Sequence, residues 1–256
     1  MLTLLTPSKT MDFTSPVPIT ITPTQPLFLN ESRQLRKVLQ NLSVGEIQTL
    51  MNVSQPLAVA TQQKFIDTPR YKAALWAYVG DVYKGFQATT LSREASEWAQ
   101  HHLLIPSGLY GLVRPFDEIS AYRLEMKAPL AVGTSRHLYD FWAAKLGSYM
   151  EANAGGQVLI LSSQEYAKTI VPYLSPTTHV VTPAFIDKKP NGVESQIAIY
   201  NKMMRGVMAR WIVDERIDAL EDITGFTGHE YAYSPERSTP NKPVFYRQVM
   251  RPLVFE

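Results

Sequence analysis

Apolar positions along this chain follow two rhythms. Short, largely apolar runs mark buried strands at 2–5, 103–105 and 158–161, and further strands are read at 179–181, 197–200 and 244–249. Between them, apolar residues recur at helical spacing. Leu35, Val38 and Leu39 share one side of 32–40. Ser43 and Glu46 have capping-box spacing ahead of Ile47, Leu50 and Met51. Helices are also predicted over 56–66, 69–78, 92–101, 137–152, 163–171 and 203–216. Pro16, Pro18, Pro23 and Pro26 exclude a regular helix from the arm after Thr10.

Strands and helices interleave over the last two thirds. Pro190-Asn191-Gly192 carries a hairpin turn signal between the strands at 179–181 and 197–200. These features predict an α/β fold, a single compact domain over 1–256 with a mixed sheet surrounded by helices. The helical region 31–101 is a candidate subdomain, and the strand at 2–5 is expected to join the later sheet.

Composition narrows the function. The 256 residues are 45% hydrophobic and 19% charged, which excludes a wholly disordered chain. There is no Cys, so disulfides, thiolate metal sites and Cys nucleophiles are excluded. Lys+Arg 25 against Asp+Glu 23 gives a net charge of +2, so an anion site must be local. No apolar stretch approaches the ~18 residues that span a membrane. No basic leader precedes the first strand, and the cytoplasm is the expected compartment.

Several constellations could carry chemistry. On a helical wheel of 201–213, with Lys202 at the origin, Arg205 lies near −60° and Arg210 near +80° at about 100° per residue. Gly206 and Ala209 fall inside this cationic stripe, and Val207, Met204, Trp211 and Met208 lie opposite. The stripe reads as an anion site or as a basic solvent face. Gly206 allows close approach of a backbone or a ligand. Asp81 and Tyr83 stand in a Gly80-Asp81-Val82-Tyr83 turn. Ser107 through Arg114, with Tyr110 between Gly108 and Gly111, reads as a tight hairpin, loosely like that of a helix-hairpin-helix module. Tyr122–Met126 alternates so that Arg123 and Glu125 share a face. Lys9 and the Glu165-Tyr166 pair each follow a buried strand, and carboxyl ends of strands are where α/β folds place ligands. The five His show no metal-ligand spacing, no HExxH or GxSxG is present, and no cofactor fingerprint is complete.

Taken together, TPSKT (6–10), GDVYKGF (80–86), SGLYGLVRPFD (107–117), YRLEM (122–126), LYDFW (138–142), LSSQEY (161–166), NKMMRGVMARWIV (201–213) and GFTGHEY (225–231) resemble the YaaA-type peroxide-stress family. The resemblance implies a bacterial cytoplasmic protein that limits DNA damage and free intracellular iron. It also implies a positively charged cleft and a helix-hairpin-helix-like element that binds duplex or distorted DNA. Lys9, Asp81, Tyr83, Ser107, Tyr110, Arg114, Arg123, Glu125, Glu165, Tyr166, Lys202 and Arg205 match the family's polar motif positions. Two positions depart from it: Val79 stands where the family usually has Lys, and Ile160-Leu161-Ser162-Ser163 replaces an Asn-Leu-Ala-Ser run.

Two functions follow. One is sequence-independent DNA binding through Lys9, Ser107, Tyr110, Arg114, Lys202, Arg205 and Arg210. The other is a pocket for a small anionic ligand, a nucleotide or a phosphate-bearing molecule, built from Lys9, Asp81, Tyr83, Arg123, Glu125, Glu165 and Tyr166. A DNA groove seldom needs carboxylates, which repel phosphate, whereas a pocket can use them. No reaction is assigned. Iron sequestration by direct binding has no support in the residue pattern.

Overall fold

The computed structural model describes residues 1–255. The chain opens with β1 (Leu2–Leu5) and β2 (Thr10–Met11), then α1 (Leu29–Gln40), α2 (Val44–Met51) and α3 (Gln55–Ile66). Next come β3 (Tyr71–Ala73), α4 (Ala74–Ala77), β4 (Tyr78–Val79), α5 (Asp81–Phe86) and α6 (Arg93–His102). The middle holds β5 (Leu103–Ser107), β6 (Gly111–Val113), β7 (Glu118–Ser120), α7 (Leu138–Asn153), β8 (Gln157–Leu161) and α8 (Gln164–Ala167). The last part holds β9 (His179–Val181), β10 (Ala184–Lys188), β11 (Glu194–Ser195), α9 (Ala198–Glu215), β12 (Thr227–Gly228), β13 (Tyr231–Tyr233) and β14 (Val244–Arg247).

The fold is α/β with two mixed five-stranded sheets flanked by helices. The first runs β6-β5-β1-β8-β9 and the second β11-β10-β14-β13-β12. In the first sheet β1 lies between β5 and β8, parallel to both. All four of its residues are buried, as an apolar strand covered on both faces requires. The opening strand therefore does join strands from later in the chain. Leu35, Leu39 and Phe65, from the helical region 31–101, belong to the same hydrophobic cluster as Leu4 and Ile160 of the sheet.

The second sheet meets α9 at two places, Asn201 and Tyr200. Asn201 Nδ2 donates to the Phe185 carbonyl at 3.0 Å. Arg247 and Asp187 form a buried ion pair, with Arg247 Nε 2.7 Å from Asp187 Oδ1. Tyr231 donates to the other Asp187 oxygen, and the Arg247 guanidinium lies over the rings of Tyr231 and Tyr200.

The structure corrects four local expectations. Residues 69–78 form β3, α4 and β4 in place of a helix, because 71–73 pairs with β7 and the amides of Ala74 and Leu75 donate to the carbonyls of Asp117 and Pro115. Residues 73–77 are buried all round, so their apolar run carries no period to distinguish helix from strand. Residues 198–200 are the first turn of α9 in place of a strand, since no breaker separates them from the helical run that follows, and the Asn191-Gly192 turn joins β10 to β11. The helix expected at 163–171 is cut to Gln164–Ala167. Finally, 107–113 is a β-hairpin. Helix α6 leads into it, but the chain leaves through the Arg114–Asp117 turn into β7, with no second helix.

Candidate functional site

Leu5 of β1 stands beside Leu161 of β8 in a parallel register, so the loops after these two strands emerge side by side. Thr6 to Thr10 form one lip of a cavity of about 440 Å³, and Ser163, Glu165 and Tyr166 form another. The segment 122–125 and the start of α5 close it, with Lys202 of α9 at the rim. This is the crevice at the carboxyl ends of parallel strands where α/β folds hold ligands. Gly80 lets α5 begin here. Its φ is +126°, and a Cβ would come within 2.8 Å of Ser8 Oγ on the opposite loop.

The charges face one another across the cavity. Lys9 Nζ lies 2.7 Å from Glu125 Oε1, and Lys127 Nζ lies 3.2 Å from Glu125 Oε2. Arg123 Nη2 approaches Glu125 no closer than 3.9 Å, and Arg123 Nε has no hydrogen-bond partner among the described residues. Lys202 and Lys84 both stand 3.9 Å from Asp81. Glu165 accepts from the Lys127 amide at 3.2 Å. The lining thus carries Lys9, Arg123 and Lys202 against Asp81, Glu125 and Glu165. It is balanced in sign, with unpaired hydrogen-bonding capacity on both sides.

Beneath this layer lies a buried hydroxyl network. Tyr122 OH accepts from Ser107 Oγ at 2.8 Å and meets Tyr78 OH at 2.8 Å. Burial pushes the Tyr122 hydroxyl up to about 12, and the hydroxyls of Tyr78, Tyr83 and Tyr166 are also held above the ordinary tyrosine value. All four stay protonated at neutral pH, so they serve as neutral hydrogen-bonding groups and not as bases.

The Glu125 carboxyl is under opposed influences. Burial pushes its pKa up, and the hydrogen bonds and charges of Lys9 and Lys127 together outweigh this and hold it below the usual 4.5. A carboxylate depressed in the folded state contributes stability that is present above its unfolded value and lost as pH falls through the folded one. The stability difference between wild type and Glu125→Gln is therefore expected to be constant near neutrality and to shrink on acidification below about pH 4.5. Denaturant titrations of both proteins from pH 7 to pH 3 check this. A difference that grew on acidification would contradict the ion-pair geometry.

The structure brings together Lys9, Asp81, Arg123, Glu125, Glu165, Tyr166 and Lys202. The other sequence candidates lie elsewhere. Tyr83 OH is buried without a hydrogen-bond partner among the described residues. Ser107 is buried, and its Oγ accepts from the amides of Leu109 and Tyr110, so these hairpin amides point inward. Tyr110 OH bonds Ser120. Arg114 is committed to Asp117 and the Gln25 carbonyl. Arg210 is committed to Asp214, Gln87 and Thr90. Arg205 is one turn beyond Lys202, outside the lining, and its Nε is buried without a hydrogen-bond partner among the described residues. Burial lowers its pKa from the usual arginine value. The basic stripe on α9 therefore divides into one cavity residue, one half-buried guanidinium and one structural tie. Val79, at the departure from the family pattern, pairs with Thr10 in the β2–β4 ribbon. Thr6, Ser8, Ser163 and Lys127 were not foreseen; the signal for the first three was their position just after β1 and β8.

Among the described residues, no group of three or more His, Asp or Glu is placed to hold a metal ion, and no helix is long and apolar enough to cross a membrane. The fold and this polar cavity define an α/β protein with a charged crevice at the carboxyl ends of β1 and β8. The chain belongs to the family described as peroxide stress protein YaaA, whose model matches residues 1–237. A UPF0246 protein from Shewanella sp. (strain MR-4) is 42% identical over 97% of this chain and 99% of its own length. UPF0246 proteins of Roseobacter denitrificans and Laribacter hongkongensis are 39% and 35% identical, each over 96% of this chain and at least 98% of their own.

Proposed function

We propose that this peroxide-stress protein acts by binding a small anionic ligand in the cavity between β1 and β8. The observation that carries this reading is the composition of the lining. Three cations and three carboxylates converge from five separate segments on about 440 Å³. That volume is within the range of small-molecule sites. A phosphate groove gains nothing from Asp81, Glu125 and Glu165, whereas a ligand with both an anionic group and hydrogen-bond donors uses them. The protection of DNA and the lowering of free iron implied by the family resemblance then become consequences of ligand binding. Thermal-shift measurements with nucleotides and phosphorylated metabolites at millimolar concentration test this. Stabilisation by at least one of them is expected, and none would leave the cavity without a ligand.

A second reading, DNA binding, is favoured by one observation. Lys9, Lys84, Lys127 and Lys202 are each more than half exposed around the cavity mouth. Duplex held by these four lysines would give a log–log salt slope of about −3.6. Fluorescence anisotropy in rising salt reads that slope, and an affinity independent of salt would remove this reading.

A further inference from the structure

A second cavity of about 430 Å³ lies beside the first, between the end of α2 and the segment 123–129. The two share Lys9, Arg123 and Glu125 in their linings. The wall between them is therefore the Lys9–Glu125 ion pair, with the Arg123 guanidinium beside it. Outside this wall the two lobes differ in sign. The first lobe contributes Asp81, Glu165 and Lys202, two acids and one base. The second contributes Lys127 alone among charged groups, with Thr49 and Asn52 as neutral polar neighbours. With the shared wall counted in both, the first lobe carries three cations and three carboxylates, and the second carries three cations, Lys9, Arg123 and Lys127, and one carboxylate, Glu125.

We propose that the two lobes form one site for a phosphate monoester. Its hydroxyl- or amine-bearing head lies against Asp81 and Glu165 in the first lobe. Its phosphate lies in the second lobe, among Lys127, Lys9 and Arg123. This rests on the ligand-binding reading above and assigns its ligand class and orientation. The buried Arg123 Nε, without a partner among the described residues, supplies a donor at the wall that such a phosphate satisfies. Three cations around a dianion are a stronger clamp than the same cations around one carboxylate. The phosphate therefore competes for Lys9 and Lys127 against Glu125. Lys9 and Lys127 are 56% and 65% exposed at their side chains, so each has room to turn from one partner to the other. The Lys9–Glu125 pair acts as a partition that the ligand opens, and Glu125 tends to exclude heads that lack a phosphate tail.

Isothermal titration of the full chain with adenosine 5′-monophosphate, adenosine, ribose 5-phosphate and inorganic phosphate tests the proposal. Wild type is compared with Lys127→Ala and Lys202→Ala, both exposed positions at which the fold should persist. The monophosphate is expected to bind at least tenfold tighter than adenosine. Lys127→Ala should abolish most of that ratio while leaving adenosine within about twofold. Lys202→Ala should weaken both ligands in parallel. Ribose 5-phosphate binding as tightly as the nucleotide, with the same loss in Lys127→Ala, upholds the proposal with the sugar as head. Inorganic phosphate binding as tightly as either ester overturns it, because the head lobe then contributes nothing. Ester binding that is indifferent to Lys127→Ala overturns the orientation and leaves the ligand-binding reading standing. No binding of either ester overturns the phosphate-monoester assignment, and the thermal-shift screen above then decides whether the ligand-binding reading stands.

Discussion

Gly206→Ala is expected to destabilise the protein by about 3 kcal/mol through overpacking, although alanine is the better helix former by about 1 kcal/mol. Helices α5 and α9 cross at Gly85 and Gly206 with their backbones in contact. A Cβ at Gly206 would overlap the Val82 carbonyl oxygen and reach within 2.8 Å of the Phe86 amide nitrogen. Backbone atoms cannot turn aside as a flexible side chain can, so α5 must shift as a body. Asp81 rides on the first turn of α5 and Lys202 on α9, and their facing at 3.9 Å depends on this crossing. The same substitution should therefore weaken ligand binding in whatever fraction still folds. Chemical denaturation measures the first effect and titration the second. A neutral or stabilising Gly206→Ala would mean that the crossing is looser than described.

Asp187→Ala is expected to cost about 3–5 kcal/mol, the usual penalty for leaving one partner of a buried ion pair alone. Asp187 and Arg247 are buried at 0% and 2% exposure, and the carboxylate also accepts from Tyr231. Removing it leaves a guanidinium in a pocket of aromatic rings with no anion. The combined change Asp187→Ala with Arg247→Met should recover much of the loss, because an uncharged side chain of similar length then fills the space. The effect bears on the site, because Tyr200, one of the rings beneath Arg247, lies in the first turns of α9 just before Lys202. Equal stability of the single and double variants would show that loss of packing dominates over the stranded charge.

The pocket was partly legible in the sequence because strand ends are legible. LTLL and VLIL are short, largely apolar runs, so the polar residues after them, Lys9 and Glu165, fall at the carboxyl edge of a sheet from the sequence alone. The Arg123 and Glu125 alternation also persisted. Tyr122, Leu124 and Met126 are buried while Arg123 and Glu125 remain partly open, although the segment joins no sheet. The basic stripe on α9 misled because helical phase gives direction and not partners. Arg210 lies about 12 Å along the axis from Lys202, where loop carbonyls after α5 claim it. Arg114 misled for a similar reason: Asp117, three residues on, closes its turn. The hydroxyl network of Tyr78, Tyr122 and Ser107 was hidden because it depends on pairings between distant segments. Gly206 permits close approach, as its place in the stripe suggests, and the approaching group is the backbone of α5.

The most direct test of the cavity's role is survival under hydrogen peroxide of a bacterium whose own relative has been deleted and replaced by this chain. Arg123→Ala and Arg210→Gln are compared at matched soluble levels. Protection lost with Arg123→Ala and kept with Arg210→Gln is the expected result. Protection kept with Arg123→Ala and lost with Arg210→Gln would contradict it and return the function to the basic face of α9.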